Sequence, residues 1–445
     1  VENESYGYRH IWKITYPLII GGVGQTIINI SDTIFLGRLS ELALGAAAIA
    51  GLYYVTFYML GVGFSIGSQI LIARFDGEND RLKLTQTFKS TTWSLLAIAL
   101  LTFVFLNLLS SSILLNLIKS KEIYSGTIEF LKYRSLGIFP GFMILLFRSF
   151  YSGIGSTKVV GYTTIITAVL NLILNYLLVF GNCGLAKMGI AGSGLASTLS
   201  EVFALVFVVA YSVKYQFVAR YQLFKKTTFS TIILSKLIKT SAPLMVQVFI
   251  ALWSWFAFFL IVEKIGEREL AISNITRNVY MLLMICLMGF SNATNTIISN
   301  LLGQNRKEEL LTVMKRIIFL SLSTTFLVVL LNLIFWRYSV SLFTSSEELT
   351  NSTFGCIVVI SGSSLLFSVS YILLSAVSGS GGTFATLIIE AITLLFYLIA
   401  TYFTSIFFKT SIEIVWCTEY VYFLAMGIIS YYYIRYRVVK PIKNS

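Results

Sequence analysis

Three acids stand well inside long apolar runs of this chain: Asp32, Glu201 and Glu390. An ionised carboxylate is costly in apolar surroundings, so each needs a partner or a task. Gln25, Asn29 and Asp32 follow one another at spacings of four and three residues, which puts them on one helical face. Thr164, Thr167, Asn171 and Asn175 form a second polar stripe of the same kind. If the stripes face each other, they enclose one carboxylate among hydroxyl and amide oxygens. An all-oxygen cavity of that sort suits a hard cation such as Na⁺ at Asp32, and it suits proton exchange equally well. The plain alternative is that Asp32 only hydrogen-bonds across helices and holds them together.

The other two acids have less company. Glu390 lies on a stripe with Thr386, Thr393, Tyr397 and Thr401, and Arg277, flanked by Asn274 and Asn278, is its expected partner. Such a pair either locks the surrounding helices or meets cargo in one state; a buried ion pair alone does not decide between these. Glu201 shares a face with Ser193 and Ser197 and reads more as structure than as function. Arg148 is expected to snorkel to cytoplasmic water. Two aromatic stripes, Tyr54 and Tyr58 with Ser65 and Gln69, and Trp253, Trp255 and Phe258, could hold organic cations on their ring faces. They are equally well read as ordinary packing or interfacial anchors. At the positions that repeat Gln25, Asn29 and Asp32, the second half has Ala251, Trp255 and Phe258, so its polar lining is lost.

Other chemistry is poorly supplied. The one histidine, His10, precedes the first apolar run, which excludes histidine catalysis within it. Cys183, Cys286, Cys356 and Cys417 are far apart and lack metal-ligand spacing. Gly153-Ile154-Gly155 and Gly379-Ser380-Gly381-Gly382 loosely resemble phosphate loops, but no GxxxxGK[ST] pattern exists, and both read as tight turns. No cofactor is expected.

The elements that must position these residues follow from composition. Of 445 residues, 56% are hydrophobic and 12% charged, whereas a soluble domain carries about 25% charged residues. Apolar runs of about 20 residues, long enough to cross a hydrocarbon core, recur throughout. They predict an all-α integral membrane protein with twelve spans near 11–37, 44–73, 90–109, 124–151, 158–181, 189–213, 240–263, 270–302, 317–336, 350–378, 383–408 and 412–434. The first run lacks a cleavage site and reads as a retained helix. The chain starts without Met and so reads as trimmed. The net charge of +13 reflects the positive-inside rule, not nucleic-acid binding. Most Lys and Arg fall at the termini and after even-numbered spans, which predicts cytoplasmic termini and a cytoplasmic loop at 214–239.

That loop divides the spans into 1–213 and 240–445, two six-helix lobes. The halves match at a constant offset of 226 residues: Pro17 with Pro243, Gly63-Phe64-Ser65 with Gly289-Phe290-Ser291, Gly77 and Asn79 with Gly303 and Asn305, Ser152-Gly153 with Ser378-Gly379. Six spans per half make this a parallel repeat, an architecture of transporters that open to alternate sides.

The ordered set Asp32-Thr33 with Gly37, Ala73-Arg74 with Gly77-Glu78, Asn171 with Asn175-Tyr176 and Gly181, then Gly189-Ile190-Ala191-Gly192, resembles the MATE (multidrug and toxic compound extrusion) family, in particular its NorM- and DinF-like bacterial members. The resemblance covers essentially the whole chain. It implies a V-shaped pair of lobes, acting as a monomer in the lipid of a bacterial inner membrane, that exports amphipathic, often cationic compounds in exchange for H⁺ or Na⁺. Two departures stand out. Many relatives have aspartate where this chain has Asn175, and the acids that NorM-type members place in spans seven and ten are missing, since Gln247–Phe258 and Ser361–Ser378 hold no Asp or Glu. The alternative within transport is a flippase for a lipid-linked saccharide, which calls for basic residues lining a cleft. A scaffold without transport would not explain the embedded carboxylate stripe.

Overall fold

In hydrocarbon every backbone N–H and C=O must find its partner within the protein, and a helix does this within one segment. The computed structural model, which describes residues 6–223 and 230–439, accordingly contains twelve helices long and apolar enough to cross a membrane among those residues. They are α1 (Tyr8–Leu39), α2 (Glu41–Gly77), α3 (Arg81–Leu108), α4 (Lys121–Gly153), α5 (Lys158–Phe180), α6 (Gly189–Lys214), α7 (Thr231–Glu263), α8 (Glu267–Gly303), α9 (Lys307–Ile334), α10 (Glu347–Gly379), α11 (Thr383–Phe407) and α12 (Ile412–Val439). No strand occurs among the described residues. The expected loop 214–239 lies partly outside them; its described parts include a short helix at Phe217–Arg220 and the first turns of α7.

The repeat is visible in the turn chemistry. Ser120 and Ser346 cap α4 and α10 by accepting from the backbone N–H of Ile123 and Leu349. Asn79 and Asn305, after α2 and α8, both adopt positive φ (56° and 63°), a conformation in which Asn is among the least strained residues. Gly155 and Gly381 do the same between α4 and α5 and between α10 and α11.

The chain forms two compact units. One gathers the chain up to Ile19 and from Val246 onward, and the other runs from Ile20 to Met245. The division falls inside α1 and α7, each just past its internal proline, Pro17 or Pro243. Each unit therefore contains the opening turns of the other half's first helix. Gly63 shows how the segment is seated in the Ile20–Met245 unit: a Cβ there would lie 2.6 Å from Met245 Cα. In the other unit a Cβ on Gly289 would meet Ile19 in the same way. Small residues are what lets helix backbones approach so closely in a membrane. Gly63→Ala should lower the thermal midpoint of the solubilised protein by an amount equivalent to about 1–3 kcal/mol of overpacking. An unchanged midpoint would show that the contact is slack.

Candidate functional site

The polar groups around Asp32 come from three helices of the Ile20–Met245 unit. Asp32 and Ser31 lie on α1, Asn171 and Asn175 one turn apart on α5, and Ser197 on α6. Close packing of α5 and α6 depends on Gly192, where a Cβ would meet the backbone of Leu178 at 2.7 Å. Asn175 Nδ2 donates to Asp32 Oδ1 at 2.7 Å and to the Asn171 carbonyl at 3.0 Å. Ser197 Oγ donates to Asp32 Oδ2 at 3.4 Å. Asn171 in turn donates to Ser197 Oγ at 3.0 Å and accepts from Ser31 Oγ at 3.2 Å. Asn171 and Asn175 are fully buried, and Asn175 Oδ1 has no hydrogen-bond partner among the described residues.

An amide oxygen left without a donor beside a carboxylate can accept a further hydrogen bond or help to coordinate a cation. Asp32 Oδ1 and Oδ2, Asn175 Oδ1 and Ser197 Oγ supply a set of oxygens carrying a single charge, a donor chemistry that fits Na⁺ or a proton. No arginine clamps the acid: among the described residues Asp32 makes no ion pair. No group of three or more His, Cys, Asp or Glu able to hold a metal occurs among them either.

The two expected stripes meet only in part. Asn171 and Asn175 reach Asp32, but Gln25 and Asn29 do not. Both are exposed, with Gln25 Nε2 3.5 Å from Asn29 Oδ1. A rotation of about 100° per residue allows a shared face without a shared partner; Ser197 reaches the acid instead, and Ser31 supports it through Asn171. Thr164 and Thr167 hydroxyls donate to carbonyls one turn earlier on α5, those of Val160 and Thr163.

Glu201 is paired, with a residue that the spacing did not point to. Arg134 on α4 holds it in a bidentate bridge at 2.7 and 2.8 Å, and both side chains are 13% exposed. The Arg134 guanidinium also lies 4.1 Å from the centre of the Tyr54 ring. Gly137 leaves room for this pair, since a Cβ there would run into both charged groups. The available signal was a base and an acid interrupting two different apolar runs.

The expected Glu390–Arg277 pair does not form. Glu390 on α11 faces α12, where Tyr422 Oη donates to Oε1 at 2.6 Å, and its other oxygen is buried without a partner. Arg277 on α8 stacks over Phe259 of α7, 4.9 Å from the ring centre. Being polar in the same half did not place them on facing helices. A fourth acid, Glu419 near the start of α12, is embedded as well; it is 3% exposed and lies 3.5 Å from Tyr280 Oη.

The aromatic positions also sort differently from the expected cleft. Tyr54 and Gln69 are buried, and Gln69 is partnered. Phe258 is 2% exposed, stacked on Tyr397 (ring centres 5.8 Å apart) and against Trp416 (5.0 Å). Phe258 and Tyr397 repeat Asp32 and Asn171 at the 226-residue offset, so rings fill the place where the first half has its carboxylate. Trp255 stacks on Tyr280. Of the set, Tyr58 lines a cavity, together with Gln25, Arg148 and Glu201; Arg148 thus faces a cavity wall within its unit.

A chain of twice six apolar helices, with an acid held inside one half, is by class a polytopic membrane protein. The MatE family profile matches residues 17–177 and again residues 243–403. The chain belongs to this family, whose members are transporters and not enzymes. Among curated proteins it is 25% identical to the probable multidrug resistance protein NorM of Agrobacterium fabrum over 65% of this chain and 62% of that protein. The match to the first of these relatives thus spans less than two thirds of its length. With the probable NorM of Thermotoga maritima the identity is 24% over 87% of this chain and 83% of that one. Among solved structures, an outward-facing multidrug resistance MATE transporter of the MOP superfamily aligns with a TM-score of 0.88 at 19% identity, covering 97% of this chain and 96% of the other.

Proposed function

We propose that this protein is a secondary antiporter that exports amphipathic, cationic drugs or toxic metabolites in exchange for H⁺ or Na⁺. Its place is a bacterial inner membrane, with both termini cytoplasmic, and it works as a monomer without a resident cofactor. The observation that carries the reading is the buried, unpartnered Asn175 Oδ1 beside the unclamped Asp32 carboxylate. The relatives named as multidrug resistance proteins support the choice of cargo.

The ion is cargo, and its effect must be differential. Occupation of the Asp32 site drives export only if the ion binds one state of the transporter more tightly than the other. Alternating access between the two lobes then couples ion entry to substrate release outward. The flippase alternative remains the second reading because Arg134 and Arg148 lie inside the Ile20–Met245 unit, although Arg134 is spent on Glu201.

The test is transport in proteoliposomes with a fluorescent organic cation under an imposed sodium gradient, an imposed proton gradient, or neither. Accumulation should require one gradient and collapse when that gradient is dissipated by an ionophore. Accumulation independent of both gradients would sink the antiport reading.

A further inference from the structure

The Asp32 site leaves unexplained a second polar feature of the same unit. A cavity of about 70 Å³ is lined by Gln25, Tyr58, Arg148, Thr163, Thr167 and Glu201, among others. Its walls come from α1, α2, α4, α5 and α6.

The charges on its walls do not cancel. Glu201 has both carboxylate oxygens occupied by Arg134. Arg148, also on α4, is an exposed residue that contributes to the lining, and no ion pair or hydrogen bond joins it to another described residue. Arg134, which is not part of the lining, neutralises Glu201, so the charge of Arg148 on the wall has no carboxylate of its own. An uncompensated cation within a membrane protein marks a pathway or a ligand, and its natural partner is an oxyanion.

The remaining donors point the same way. The Tyr58 hydroxyl engages no described partner. The Gln25 amide has a second N–H beyond its long contact to Asn29. Guanidinium, phenol and amide donors converging on a small space match a carboxylate, which accepts bidentately from arginine. The space has room for an acid group held against Arg148.

We infer that Arg148 receives the carboxylate of an amphipathic substrate, so that the cargo includes compounds carrying an acid group as well as an apolar or cationic body. This rests on the exporter reading and narrows its substrate class. If Arg148 only snorkels to interfacial water, it contributes nothing to such a preference.

A free-acid rhodamine and its methyl ester form a matched pair that differs at the carboxylate. Binding of each to the full chain in nanodiscs of neutral lipid is read by fluorescence polarisation. The wild type should bind the acid at least about 10-fold more tightly than the ester. Arg148→Gln should bring the two within about twofold, while Arg148→Lys keeps part of the difference; both variants should elute as folded monodisperse protein. Equal binding of acid and ester by the wild type, absence of binding by either, or an undiminished acid preference in Arg148→Gln overturns the inference. Adding an anionic lipid separates the sources of the oxyanion: loss of the preference would assign the cavity to a lipid phosphate and overturn it too. Gradient-driven export of the ester in proteoliposomes reports the exporter reading independently. Export without acid preference refutes this inference alone, and acid preference without export of either dye refutes the exporter reading alone.

Discussion

Asp32→Asn is expected to reduce gradient-driven accumulation of an organic cation in proteoliposomes to the level of empty liposomes. The change keeps the shape of the side chain and can keep an amide contact with Asn175, which now sits 2.7 Å from Asp32 Oδ1. It removes the only charge in the oxygen set formed with Asn175 and Ser197. An uncharged set holds Na⁺ poorly and cannot take up a proton near neutral pH. Coupling energies between sites are commonly about 1–3 kcal/mol, or 5–150-fold in affinity. Losing that term entirely should therefore cost on the order of 100-fold in driven transport. Thermal stability should hold or rise, because an embedded charge is expensive to keep. Transport at wild-type level by this variant would show that the acid is structural.

The second large effect falls on stability. Arg134→Met leaves the Glu201 carboxylate among buried groups with its bidentate partner gone. Breaking a buried pair from one side costs about 3–5 kcal/mol, most of it the uncompensated charge. Thermal unfolding of the solubilised variant should shift accordingly, and yield should fall with it. The double variant Arg134→Met, Glu201→Leu should recover much of the loss, since replacing both partners with apolar side chains is often near neutral. The cycle decides the role of the pair. Recovery of stability without recovery of transport would mean that the pair also takes part in the transport cycle, whereas a single variant as stable as wild type would contradict the buried geometry.

The long apolar runs could be read without a structure because hydrophobicity is a local property and the membrane imposes one length on every crossing. All twelve expected spans coincide with helices, though α7 starts at Thr231. Asp32, Asn171 and Asn175 were legible for a related reason: a charge or a carboxamide inside such a run has few ordinary uses. Turn residues were legible as well, since Asn79 and Asn305, or Gly155 and Gly381, answer to backbone conformation alone.

What remained hidden concerns which helix faces which. Periodicity places Gln25, Asn29 and Asp32 on one stripe, but whether all three meet the same neighbour depends on how far α1 is rotated against α5 and α6. Arg134 with Glu201, and Glu390 with Tyr422 instead of Arg277, are separated by 67 and 32 residues along the chain. No spacing rule reaches that far. By itself the sequence determined the membrane class and the duplication, and it marked Asp32 as an acid embedded in an apolar run, because each is written in local composition or in a repeated register. Only the tertiary structure decided that Ser197 contacts Asp32 while Ser31 holds Asn171, that Phe258 fills its counterpart, and that Arg148 is left without a partner among the described residues. Those outcomes depend on helix rotation and on packing between distant segments, where many arrangements satisfy the same hydrophobic pattern and side-chain fit selects among them.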